Sequence, residues 1–202
     1  KETMNSKLKE LKREKKSRIR IGMPLNAASL AAFDVVKEVE KKYPDCGVEI
    51  YNIFSKDMEK ALKEWAYDFV IGPMADLSKN VDYDLMYRDF YVLVVPKRYD
   101  LETYAEYGEQ GSFPVIDMKK LPPMDYIFQD ETTFVRKGIN RILEKQKLSI
   151  APRLVVTSST LALQAAENGF GCCIVSTGHL AYLNQSANLK VYLIKGEETS
   201  SC

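Results

Sequence analysis

The chain has 202 residues, of which 46% are apolar and 28% charged, with 29 basic against 28 acidic side chains and a net charge of +1. That composition excludes global disorder, and ten glycines with eight prolines exclude collagen-like or low-complexity sequence. A single histidine, His179, excludes every site that needs a histidine pair. Catalysis is therefore not the first expectation, and no metal or cofactor is expected.

The near-neutral balance hides an asymmetry. Residues 1–20 hold nine basic and three acidic side chains, a local charge of +6 that leaves −5 for the rest. Met4, Leu8 and Leu11 recur at helical spacing within this segment, which predicts a charged terminal helix with a narrow apolar stripe, suited to pairing with another copy or with a preceding domain.

From Arg18 the elements alternate. RIRIGMP reads as a buried strand, and Ser29 to Lys42 as a helix through Leu30, Phe33, Val36 and Val39 that YPDCG stops. VEIYNIF is a second strand. Ser55 precedes a helix on which Met58, Ala61, Leu62 and Trp65 share a face, and DFVIGPM is a third strand. Strands joined by helices run parallel with right-handed crossovers, and ligands bind at their carboxyl ends.

Asp82–Tyr87 and Asp89–Pro96 are two further strand candidates, followed by a loop-rich stretch over 97–125 where a subdomain boundary is expected. The pattern then restarts: strand YIFQ, helix Thr133–Lys147 with Ile139, Ile142 and Leu143 inward, strand RLVVT, helix Thr160–Asn168, strand GCCIVS, a short helix near His179–Leu183, and strand LKVYLI. Two β-α-β-α-β units in succession describe a two-lobed α/β protein.

Hydroxyl and amide side chains stand where strands hand over to helices: Asn26 and Ser29, Ser55, Thr132 and Thr133, and Ser158 and Ser159. Each reads alone as an ordinary helix N-cap; together, at the carboxyl edges of two sheets, they point to a site for a carboxylate or similar small anion. Gly169-Phe170-Gly171 precedes a strand and so reads as a helix cap and tight turn, not a dinucleotide loop. The adjacent Cys172 and Cys173 place one thiol on each face of a buried strand and read as core residues, while His179 reads as a surface or capping histidine. The cysteines have no CxxC spacing, no signal segment precedes the body, and no apolar run is long enough to span a bilayer, so a cytoplasmic protein away from membranes is expected.

RIRIGMP, a helix ending in KKYPDCGVEI, and FSKDMEKALKEWAYDFVIG resemble the effector-binding half of LysR-type transcriptional regulators, and SSTLALQAAENGFGCCIVS resembles the later signature of that family, with Ser176 where the family usually carries Pro. Arg136 falls near a helix start where the family often has Arg. The resemblance implies a type II periplasmic-binding-protein-like fold whose two α/β subdomains close over a small effector in the cleft between them. It implies residues 1–17 as the end of a linker helix, 18–98 as subdomain I and 99–202 as subdomain II, with the return to subdomain I truncated. It also implies a homodimer or tetramer, with helix one and strand two of the first lobe in the interface, and DNA contact only through an N-terminal winged-helix domain that is missing here. The effector positions carried over are Asn26, Ser29, Ser55 and Thr132 or Thr133; Ser158 and Ser159 extend them by geometry. The effector is expected to carry one carboxylate. The alternatives are a two-lobed enzyme of the prephenate dehydratase type and a transporter solute-binding protein.

Overall fold

A computed structural model describes residues 18–73, 81–86, 88–108, 113–183 and 188–197. The charged helix expected over 1–17 lies outside them. The chain divides into two compact units after Asp82.

In the first unit, β1 (Arg18–Met23), α1 (Leu25–Lys42), β2 (Gly47–Asn52), α2 (Met58–Lys63) and β3 (Phe69–Val70) follow one another. The sheet order is β2-β1-β3, with both neighbours parallel to β1. Gly22 in β1 leaves room for the Tyr67 ring, which a Cβ there would meet at 2.8 Å and would have to displace. β1 is also tied to the approach to β3: the Arg20 N–H donates to Asp68 Oδ2 at 2.7 Å and its guanidinium to Oδ1 at 3.2 Å. Helix α1 starts directly after Pro24, four residues before the expected Ser29, since a proline fixes φ and needs no N–H at a helix start. Its inward positions are Ala27 and Ala31, which are buried, whereas Phe33 is 78% exposed. Small residues let α1 lie close on the sheet and turn the larger Phe33 outward. On α2, Met58 and Ala61 face inward as expected, but Trp65 is 82% exposed because the chain has already left the helix there, at φ 57°.

The expected strand over 82–87 does not form in 82–86; Tyr83, Leu85 and Met86 are exposed there, and Tyr87 lies outside the described residues. Apolar alternation without a neighbouring strand to pair with is insufficient.

The second unit contains β4 (Tyr91–Pro96), β5 (Ala105–Glu106), β6 (Val115–Ile116), β7 (Tyr126–Gln129), α3 (Phe134–Gln146), β8 (Leu154–Val156), α4 (Ser159–Glu167), β9 (Cys172–Ser176) and β10 (Leu189–Ile194). Among the described residues they form one sheet in the order β5-β6-β10-β4-β9-β7-β8. The β7-α3-β8-α4-β9 segment is the expected parallel unit, with β8 and β9 on either side of β7. β4 pairs antiparallel with both β9 and β10, so this strand belongs to the second unit's sheet. The two-residue strands β5 and β6 lie within the stretch read as loop.

Alternation sorts the side chains onto two faces. Tyr91, Leu93 and Val95 of β4, Phe128 of β7 and Cys172 of β9 join Ile139, Ile142 and Leu143 of α3 in one core. Val92, Val94, Ile127 and Cys173 join Ala162, Leu163 and Ala166 of α4 in the other. The two adjacent thiols therefore face opposite cores, and burial raises both above the ordinary thiol range, Cys172 to about 12. The Gly169–Gly171 segment closes α4 as expected, with Gly169 at φ 78°.

Helix α3 approaches β4 at Gly138, where a Cβ would lie 1.8 Å from Tyr91 Oη. Gly138→Ala is expected to destabilise the chain by about 1–3 kcal/mol through this overlap, despite alanine's better helix propensity. Urea denaturation of the variant beside wild type measures it.

Candidate functional site

At the carboxyl ends of β1 and β2 the chain enters two helical segments. Asn26 and Ser29 lie in the first two turns of α1, so Ser29 is not the N-cap; that position is Pro24, without a side-chain cap bond. Ser55 opens a 3-10 turn, Ser55–Asp57, and makes no capping hydrogen bond there. The first unit thus departs from the hydroxyl-cap expectation.

The second unit follows it. The Asp130 N–H donates to Val156 O at 2.8 Å, holding the ends of β7 and β8 together and bringing the starts of α3 and α4 to one edge. Thr133 caps α3: its Oγ1 accepts from the Arg136 N–H at 3.2 Å and donates to Asp130 O at 2.8 Å. Thr132 donates from N and Oγ1 to Asp130 Oδ1, at 3.0 and 2.6 Å. These bonds hold the Asp130 carboxyl below the usual carboxylate range, so it is ionised at neutral pH. Ser158 caps α4 by accepting from the Leu161 N–H at 3.2 Å. Ser159, expected as a site residue, is the first residue of α4 and is fully buried.

Two further residues shape this edge. Arg136, 8% exposed, lies over the Phe128 ring with its guanidinium carbon 4.8 Å from the centroid. It donates to Gln129 O at 3.0 Å and Asn140 Oδ1 at 2.8 Å and pairs with Glu131 at 2.5 Å, so its charge is committed to the α3 start. Gln129, the last residue of β7, is 1% exposed and was not singled out from sequence. The available signal was its alternation with Phe128, which puts a polar side chain on the same buried face as Ile127.

A second polar cluster pins the segment after β9. Asp89 Oδ1 accepts from the Thr177 hydroxyl, from Gly178 N–H at 2.9 Å and from Phe90 N–H at 3.1 Å. His179 does not sit at the surface: it is 3% exposed, with Nδ1 2.8 Å from Ser176 Oγ. Leu180 and Leu183 pack into the α4-side core and carry the neighbouring histidine inward with them.

Among the described residues no group of three His, Cys, Asp or Glu side chains is placed to hold a metal ion. No helix among them is long and apolar enough to cross a membrane.

The sequence matches the LysR substrate binding domain model over residues 12–200. The chain belongs to the LysR substrate-binding domain family. Solved structures share the fold. The effector binding domain of QuiR in complex with shikimate aligns at TM-score 0.70 and 18% identity, over 90% of this chain and 82% of that one. The CcmR regulatory domain of Synechocystis in complex with 2-PG gives 0.70 and 15%, over 90% and 82%. The BenM effector binding domain with its effector benzoate gives 0.70 and 17%, over 89% and 78%. No curated protein matches the sequence.

Burial holds the His179 imidazole below its ordinary range, the neighbouring Asp89 charge only partly opposing it. Above pH 6.5 the folded and unfolded chains both carry neutral histidine and this group adds no pH dependence. Below about 6.5 the unfolded chain binds a proton that the folded chain refuses, so stability falls with pH, by at most about 1.4 kcal/mol per unit, until the folded-state value is reached. Denaturation midpoints measured between pH 7 and 5 check this, and His179→Gln is expected to show a shallower slope.

Proposed function

We propose that the chain is the effector-sensing part of a LysR-type transcriptional regulator, binding a small metabolite with one carboxylate at the carboxyl ends of its parallel strands. The observation that carries this reading is the edge formed by the starts of α3 and α4. Two helix N-termini, capped by Thr133 and Ser158, offer first-turn N–H groups and positive dipole ends beside the turn after β7. The ionised Asp130 at the same edge opposes a second negative charge on the ligand, which favours a monoanion. Family membership over nearly the whole chain supports a regulatory rather than a catalytic role. The single histidine and the commitment of Arg136 to Glu131, Asn140 and Gln129 leave the edge without an acid-base pair. The effector positions proposed in the second unit are Thr132, Thr133, Ser158 and Ser159, and those proposed in the first unit are Asn26, Ser29 and Ser55.

In this reading the basic segment 1–17 is part of the linker through which copies associate into a homodimer or tetramer in the cytoplasm. DNA is contacted through a winged-helix domain outside this sequence. Effector binding shifts the population of regulator conformations, and with it the presentation of the DNA-binding domains.

Thermal denaturation with and without millimolar shikimate or benzoate tests the site. Wild type is expected to melt several degrees higher with a bound carboxylate, and Ser55→Val combined with Thr133→Val to lose that shift. Loss of the Thr133 cap lowers the baseline by about 1 kcal/mol, so the shift and not the absolute midpoint is compared. A full shift retained by the double variant overturns the site.

A further inference from the structure

We infer that Gln129 sets the specificity of this edge, favouring carboxylates that also carry a hydrogen-bond donor such as a hydroxyl over bare carboxylates; the inference rests on the binding reading above. The Gln129 side chain faces α4 and donates from Nε2 to Ser159 Oγ at 3.3 Å and to Ile174 O at 3.2 Å. The bond to a main-chain carbonyl fixes which end of the amide is nitrogen, because a flipped amide would set Oε1 against the Ile174 oxygen. Oε1 is then a buried acceptor with no partner among the described residues. An unpaired buried acceptor is costly, and native structures rarely keep one without a use.

The position of this acceptor distinguishes it. Other buried oxygens without a partner among the described residues include Gln146 Oε1 and Tyr192 Oη. Those belong to the last residue of α3 and the middle of β10, away from the helix starts. Gln129 Oε1 belongs to the amide that touches the first residue of α4, one residue before Asp130 and four before the Thr133 cap. Helix N–H groups supply donors for a carboxylate. Gln129 supplies the complementary element, a buried acceptor on the amide that touches the start of α4. A ligand hydroxyl reaching it through a small outward shift of Ser158 and Ser159 satisfies an oxygen that an acceptor-only or apolar group leaves orphaned, and that asymmetry is the physical basis of discrimination.

Isothermal titration of the chain with matched pairs tests the inference: benzoate against 3-hydroxybenzoate, cyclohexanecarboxylate against 3-hydroxycyclohexanecarboxylate, and shikimate as a polyhydroxylated member. Wild type is expected to bind the better hydroxylated partner of a pair on the order of 10-fold more tightly, the equivalent of one satisfied buried hydrogen bond. Gln129→Met, similar in volume and without the acceptor, is expected to bring the ratio within about twofold, and a wild-type ratio retained by the folded variant overturns the role of Gln129. Binding of the carboxylates without hydroxyl preference in wild type overturns the role of Gln129 and leaves the carboxylate reading standing. Absence of binding by every carboxylate overturns the reading and this inference with it. A wild-type ratio below about twofold overturns the role of Gln129 whether or not the methionine variant folds.

Discussion

The second unit depends on one strand buried on both faces. All six residues of β4 are buried, and successive side chains enter different cores, Tyr91, Leu93 and Val95 the α3 side and Val92 and Val94 the α4 side. Each such side chain contributes about 1.5–3 kcal/mol of burial. Because β4 also carries hydrogen bonds to β9 on one side and β10 on the other, it joins the parallel β8-β7-β9 segment to the β10-β6-β5 segment. Without it the two halves of the sheet would be two small sheets with open edges. The position of the candidate site follows, since β9 holds β7 in register and β7 delivers Gln129, Asp130 and Thr133 to the edge.

Polar residues near the strand ends convert this apolar frame into fixed geometry. Asp89, just before β4, gathers three donors from its own next residue and from the turn after β9. Arg136 does the same for α3, binding the main chain of β7, the helix interior and the connecting turn. Both are mostly buried charges whose removal would leave their partners unsatisfied, which is how a loop is held with the rigidity of a sheet.

The alternation of strands and helices was legible because each buried element carries its own period. YIFQ, the α3 stripe and GCCIVS needed no tertiary knowledge. The failures share a cause. A strand reading over 82–87 rests on local alternation, but a strand exists only with a partner, and the exposed Tyr83 and Leu85 have none among the described residues. The β5 and β6 strands are the converse: two residues each, too short to leave a period, they exist through pairing with each other and with β10. Ser29 looked like a cap because hydroxyls prefer caps, yet Pro24 had already set the helix entry. His179 looked exposed because polar residues commonly are, and was carried inward by neighbouring leucines. The α3 and α4 caps were legible because Thr133 and Ser158 stand directly at strand-to-helix turns with no proline to compete.

Hydroxyls at helix starts are not equivalent, and the hydrogen-bond pattern ranks them. An anion needs donors. Thr132 and Thr133 have already committed their hydroxyl protons to Asp130, one to its carboxylate and one to its carbonyl. Among the described residues Ser158 serves as an acceptor, toward Leu161 N–H, and its hydroxyl proton is not committed to Asp130 as those of the threonines are. A carboxylate docking at this edge therefore meets backbone N–H groups of the α3 and α4 first turns and the Ser158 hydroxyl, while the threonines act by holding the turn and fixing Asp130. Since relatives at 15–18% identity share the fold with this chain, ligand choice cannot follow from the fold itself. In the proposed reading it follows from the side chains at the strand ends: the Ser158 hydroxyl, the Asp130 charge and the Gln129 acceptor.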